Sequence, residues 1–168
     1  MPQLNRIIRT LLNVSTSRPY KVEGDSMLPT LAGNEYVLLF PSRNHQRSLN
    51  RGDIVVLRSP AQLDAVYVKR IVALPDEEIR LEGGLVYLNS QLLEESYATI
   101  PPKEGAEGPT EWWNGPDEYF VLGDNRRASQ DSRSFGPVSK NLIVGRVWFR
   151  YWPLRAWGPV HGAQDRRG

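Results

Sequence analysis

From Tyr36 onward, short apolar runs rich in Val, Ile, Leu and aromatic residues are separated by turn residues at close intervals. That pattern predicts strands. Seven are expected: Tyr36 to Phe40, Asp53 to Leu57, Ala65 to Leu74, Glu78 to Glu82, Leu85 to Leu88, Tyr119 to Leu122 and Ile143 to Arg150. Gly83-Gly84 and Asn89-Ser90 are two-residue hairpin signals, so residues 78 to 93 read as a small meander. Tyr97 to Pro116 is rich in proline and glycine, has no period, and reads as a long surface excursion.

The expected fold is mainly β: an antiparallel β core with a small inserted β subdomain and a short N-terminal amphipathic helix. In domain terms, residues 1–18 form the N-terminal segment, 19–77 and 118–158 the β core, 78–117 the insertion, and 159–168 a flexible tail. The N-terminal expectation rests on Leu4, Ile7, Ile8, Leu11 and Leu12, spaced for one face of a helix, with Asn5, Arg6, Arg9 and Thr10 elsewhere. Its arginines break any continuous apolar run, which argues against a cleavable secretory signal. No stretch approaches the roughly 18 apolar residues of a spanning helix. Packing on the protein's own body and lying in a membrane interface fit this helix equally well.

Composition narrows the chemistry. The 168 residues suffice for one domain, and 21 basic against 19 acidic residues leave a net charge of +2, too small a field to imply nucleic-acid binding. With no cysteine there is no disulfide, thiol nucleophile or thiolate metal site. Only His45 and His161 could serve a Ser-His-Asp triad, and both sit in segments crowded with polar or turn residues.

A different nucleophile pair is available. Ser26 lies between Gly24 and Pro29, where a turn can lift its hydroxyl clear of a sheet and aim its backbone N–H at a carbonyl under attack. Taken alone it is one serine among many, most of which are solvated. In the strand Ala65 to Leu74, alternation places Tyr67, Lys69 and Ile71 on one face, so Lys69 is flanked by apolar side chains. A lysine there can snorkel to water, or it can be desolvated enough to act as a base. A third stretch, Gly123 to Gly136, is dense in hydrogen-bonding groups. Its Asp124, Arg126, Asp131 and Arg133 can pair internally and stiffen the loop, and Ser129 can then hydrogen-bond the Lys69 amine.

Four ordered motifs carry a family resemblance: Ser26-Met27-Leu28-Pro29-Thr30-Leu31, Arg51-Gly52-Asp53-Ile54-Val55-Val56, Tyr67-Val68-Lys69-Arg70-Ile71-Val72, and Gly123-Asp124-Asn125-Arg126 with Ser129, Asp131-Ser132-Arg133 and Gly136. From about Val22 to Pro153 the chain closely resembles type I signal peptidases. The resemblance implies Ser26 as nucleophile, Lys69 as general base and Ser129 as the lysine-orienting hydroxyl. It gives Asp124, Arg126, Asp131 and Arg133 structural ion-pair roles near the site, and Met27 a place lining the substrate pocket. One oxyanion donor would be the backbone N–H of Ser26. Some members add a serine hydroxyl two residues earlier, where this chain has Gly24.

The implied activity is a serine endopeptidase that removes N-terminal signal or leader peptides, cutting after small residues, and it needs no metal or cofactor. Its partner would be a precursor protein held as an extended strand. Typical members carry spanning helices before the serine, whereas 25 residues precede Ser26 here and none form a spanning run. A peripheral enzyme, a specialised maturation protease and a truncated chain each account for that. The aromatic stretch Val147 to Trp157, together with the N-terminal helix, favours peripheral membrane contact; the resemblance implies the extracytoplasmic face, with a soluble cytoplasmic location as the alternative. The same chemistry would suit a soluble maturation protease for one dedicated precursor, such as the relatives that trim the leader of nickel superoxide dismutase. A self-cleaving repressor is disfavoured, because no helix-turn-helix fits before Ser26. A non-catalytic β-rich binding module is the remaining alternative.

Overall fold

The run Ile54-Val55-Val56-Leu57 contains no polar position because both faces of its strand are covered. Ile54 and Val56 join one hydrophobic cluster with Val22, Met27, Leu31, Val37, Leu39, Val68 and Val147. Val55 and Leu57 join a second with Ile71, Tyr119, Val121, Val138 and Ile143. The computed structural model describes residues 16–41, 48–62, 64–99, 108–160 and 162. The amphipathic helix expected over Leu4 to Leu12 and both histidines, His45 and His161, lie outside the described residues.

The described chain forms β1 (Arg18–Lys21), β2 (Tyr36–Pro41), β3 (Ile54–Arg58), β4 (Val66–Ala73), β5 (Glu78–Glu82), β6 (Leu85–Leu88), β7 (Gln91–Leu92), β8 (Thr110–Trp113), β9 (Glu118–Leu122), the single helical turn α1 (Ser132–Phe135), β10 (Val138–Ser139), β11 (Ile143–Trp152) and β12 (Gly158–Pro159). All seven expected strands form, and the fold is mainly β with antiparallel pairing. The larger sheet runs β1-β2-β11-β3-β4-β9-β10, with β12 added beside β11. The smaller runs β7-β6-β5-β8.

The meander over 78 to 93 forms as the hairpin signals imply. Gly83, Gly84, Asn89 and Ser90 all take positive φ, the backbone that two-residue turns between twisted strands require. The excursion expected over Tyr97 to Pro116 is corrected in part. Thr110–Trp113 pairs with β5, placing Trp112 opposite Ile79 and Trp113 opposite Glu78. The driving force is burial of Trp112, which packs with Phe120 at 5.0 Å against the third cluster of Val72, Ala73, Ile79, Val86, Leu88, Phe120 and Leu122. That cluster draws on both sheets and fixes the smaller one to the larger.

One feature of pairing positions the site. β3 pairs with β4 along Ile54 to Arg58, opposite Arg70 to Val66. On its other side β4 meets β9 only from Arg70 onward, at Arg70 with Leu122, Ile71 with Val121 and Ala73 with Phe120. The stretch Val66 to Lys69 therefore has one strand edge unpaired among the described residues.

Candidate active site

Lys69 is 2% exposed, carried by β4 between the apolar neighbours that alternation places on its face. The Tyr67 ring lies 5.2 Å from its Nζ, and Ile71 follows in the second cluster. Nζ sits 2.9 Å from Ser26 Oγ and donates to the carbonyl of Val68 at 3.0 Å. Removing the ammonium from water penalises its charge, so burial lowers the Lys69 pKa from 10.5 to about 8. Asp131 opposes this shift, Arg133 reinforces it, and Asp124 opposes it. The lysine therefore loses its proton far more readily than one in water, with a hydroxyl in hydrogen-bond reach.

Ser26 is half-buried in the turn between β1 and β2, so its hydroxyl faces the buried amine while the residue stays open to solvent. Its loop is anchored from two sides. Met27 is 1% exposed in the first cluster, and the backbone N–H of Leu31 donates to the Met27 carbonyl at 2.9 Å. The Asn125 backbone N–H donates to the Ser26 carbonyl at 3.0 Å, and Asn125 Nδ2 to the Asp25 carbonyl at 3.2 Å. Met27 turns its side chain into the core. Its apolar side chain is enclosed by Val22, Leu31, Val37 and Leu39, and it holds the serine's turn from beneath. Gly24 has φ +71, and a Cβ there would meet nothing within 4 Å.

The loop after β9 supplies the remaining groups, with partners that differ from internal pairing. Asp131 does pair within the loop, through Arg133 Nε at 2.8 Å and Nη2 at 2.9 Å, and it accepts the Gly123 N–H at 3.0 Å. Asp124, fully buried, instead grips Arg70 through Nε at 2.8 Å and Nη2 at 2.6 Å. Arg70 follows Lys69 on the opposite face of β4 and is itself 2% exposed, so its charge needs a buried counter-ion. Thr30 Oγ1 donates to the same carboxylate. Arg126 pairs with Glu95, and its Nε donates to the Gly123 carbonyl at 3.0 Å.

Ser129 lies beside Gly123, where a Cβ would come within 2.3 Å of its Oγ and 2.6 Å of the Ser26 carbonyl oxygen. Its hydroxyl is buried and makes no hydrogen bond among the described residues. The bond expected from Ser129 to Lys69 is therefore not formed, because the Lys69 amine is directed at Ser26 and at the Val68 carbonyl. No group of three or more metal-binding side chains occurs among the described residues.

Arg70, Thr30 and Asn125 stand in the four ordered motifs without an assigned role, whereas Glu95 and Tyr97 lie outside them and carry no signal in the sequence. For Arg70 the strand itself is informative: an arginine directly after Lys69 in an apolar strand must either leave the sheet or find a buried acid.

The family model for signal peptidase, peptidase S26, matches residues 5–152. Signal peptidase I of Leptolyngbya laminosa is 35% identical over 151 residues, covering 83% of this chain and 70% of that protein. Signal peptidase I S of Bacillus subtilis (strain 168) is 37% identical over 148 residues, covering 81% of this chain and 77% of that one. Among solved structures, a signal peptidase I from Enterococcus faecalis V583 superposes with a TM-score of 0.52 at 28% identity, over 60% of this chain and 97% of that one. A match across nearly the whole described β structure, with relatives above 30% identical, shows that the chain belongs to the signal peptidase family, peptidase S26, and is a serine protease.

Proposed function

We propose that the protein cuts N-terminal signal or leader peptides from precursor proteins, with Ser26 as nucleophile and Lys69 as general base. The observation that carries this reading is the 2.9 Å approach of a buried lysine amine to a half-buried serine hydroxyl. Neutral Lys69 accepts the Ser26 proton as Oγ attacks the scissile carbonyl. The oxyanion is held by the Ser26 N–H, the leaving amine takes the proton back, and water releases the acyl-enzyme by the same base. Neutral Lys69 has two N–H groups and the ammonium three. Neutral Lys69 takes the Ser26 proton on its lone pair and donates one N–H to the Val68 carbonyl, so we assign its remaining N–H to the buried, unpaired hydroxyl of Ser129, which gives that residue its orienting role. Asp124, Arg126, Asp131 and Arg133 hold the loop around the dyad.

The unpaired edge of β4 at Val66 to Lys69 supports binding of the precursor as an added strand, with its scissile bond delivered beside Lys69. Membrane contact is supported by the end of β11 and the turn beyond it, where Trp152, Leu154 and Trp157 are 50%, 65% and 60% exposed. No helix among the described residues is long and apolar enough to cross a membrane. A leader-bearing precursor incubated with wild type, Ser26→Ala and Lys69→Ala, with and without anionic liposomes, tests the reading. Cleavage after a small residue by wild type alone is expected, with flotation of the protein on the liposomes. Equal cleavage by Ser26→Ala would overturn the assignment, and recovery wholly in the unfloated fraction would overturn the membrane contact.

A further inference from the structure

The loop that grips the Ser26 carbonyl is held in turn from the smaller sheet, and we propose that Glu95 and Tyr97 are positioning residues of the Ser26–Lys69 dyad, acting through Arg126 and Arg70. The inference rests on the catalytic reading above.

The segment leaving β7 starts from a fixed point. Leu93 donates its N–H to the Val86 carbonyl at 2.8 Å and packs its side chain on the third cluster. The chain then turns, with the Ala98 N–H donating to the Glu95 carbonyl at 3.2 Å. Inside that turn one oxygen, Glu95 Oε1, accepts from both Tyr97 Oη at 2.7 Å and Arg126 Nη2. The Glu95 and Arg126 side chains are only 8% and 6% exposed, so the pair is little screened by water. Burial and the adjacent Glu95 carboxylate push the Tyr97 phenol well above its usual range, leaving it a neutral donor.

Each arm of this strap ends on the catalytic loop. Arg126 donates from Nε to the Gly123 carbonyl at 3.0 Å. The Tyr97 ring lies 4.2 Å from Arg70 Cζ, and Arg70 grips both carboxylate oxygens of Asp124. Thr99 adds a longer contact from its N–H to the Asp124 carbonyl at 3.4 Å. Gly123 and Asp124 are thus fixed one after the other, and the next residue, Asn125, makes the bond to the Ser26 carbonyl. The smaller sheet thereby reaches the nucleophile through three consecutive loop residues. Neutralising Glu95 leaves Arg126 buried without a counter-charge, and the loop must move to hydrate it. A displacement of about 1 Å at the serine is enough for a roughly hundredfold change in rate.

The test pairs kinetics with amide exchange on Glu95→Gln and Tyr97→Phe, both nearly isosteric. With a leader-bearing precursor peptide, Glu95→Gln is expected to lower kcat at least about tenfold with KM within about twofold, and Tyr97→Phe to do the same to a smaller extent. The Asn125 amide, read by hydrogen exchange without substrate, should exchange at least about tenfold faster in Glu95→Gln. Should Glu95→Gln fail to fold, Tyr97→Phe carries the same two readouts. A purely stabilising network predicts a lower melting temperature with wild-type kcat below it, and that result overturns the proposal. Unchanged Asn125 exchange in the folded variants overturns it as well. A wild type that cleaves no precursor indicts the catalytic reading instead, while the exchange measurement still decides whether Glu95 holds the Ser26 loop.

Discussion

Replacing Lys69 by methionine should make the protein more stable at neutral pH while abolishing its activity. Lys69 is 2% exposed, and burial lowers its pKa from 10.5 to about 8. At about 1.4 kcal/mol per pH unit, that difference corresponds to roughly 3 kcal/mol by which the buried ammonium opposes folding. Below pH 8 the lysine is charged in both folded and unfolded chains, so the whole penalty is present. Between about 8 and 10.5 the unfolded chain holds a proton that the native one has released, so stability rises with pH. Above that window both forms are neutral and the penalty is gone. Methionine fills a similar volume without charge, but leaves the Val68 carbonyl and Ser26 Oγ without their lysine partner, which returns about 1–2 kcal/mol. Lys69→Met is therefore expected to gain about 1–2 kcal/mol at pH 7 and to lose a similar amount at pH 11. Urea denaturation of both proteins across that range reads the difference directly. A stability difference that stays constant from pH 7 to 11 would refute the reasoning, because it would mean that Lys69 is not desolvated in the folded state.

Two further perturbations follow from the same geometry. Gly123→Ala places a methyl group 2.3 Å from Ser129 Oγ and 2.6 Å from the Ser26 carbonyl oxygen, so the two loops must separate. We expect at least about a hundredfold loss of kcat/KM in steady-state cleavage, and wild-type kinetics would show that this close approach is dispensable. Asp124→Asn leaves the Arg70 guanidinium buried without its counter-charge and should destabilise the fold by about 3–5 kcal/mol. Thermal denaturation checks this, and a shift smaller than about 1 kcal/mol would mean that Arg70 finds another acceptor beyond the Gly52 carbonyl it already contacts.

Much of the fold was legible because local pattern and tertiary environment agree. β5 and β6 match their expected bounds, since hairpin residues with positive φ close both ends of β6. β8 was hidden because Thr110–Trp113 lies in proline-rich surroundings and three of its four residues are exposed, leaving Trp112 alone to direct it inward. β1 was hidden for a related reason: Arg18-Pro19-Tyr20-Lys21 has no apolar alternation, and Pro19 is tolerated because the strand lies at the sheet edge.

At the site, alternation places Lys69 between apolar neighbours but leaves snorkelling and burial both open, and it is the tertiary packing that buries it 2.9 Å from Ser26 Oγ. The network beneath them was not legible. Arg70 meets Asp124 across 54 residues and Glu95 meets Arg126 across 31, and sequence spacing carries no signal for such pairings.

The pH dependence of precursor cleavage, measured as kcat/KM for wild type with Lys69→Met as control, tests the dyad most directly. At pH 7 a lysine of pKa about 8 is neutral in roughly one molecule in ten, against about one in three thousand for an unperturbed one. The account predicts that kcat/KM rises about tenfold per pH unit, levels off above about pH 8, and disappears in Lys69→Met. An acid limb near pH 6.5, where an imidazole titrates, or activity that survives Lys69→Met, would contradict it.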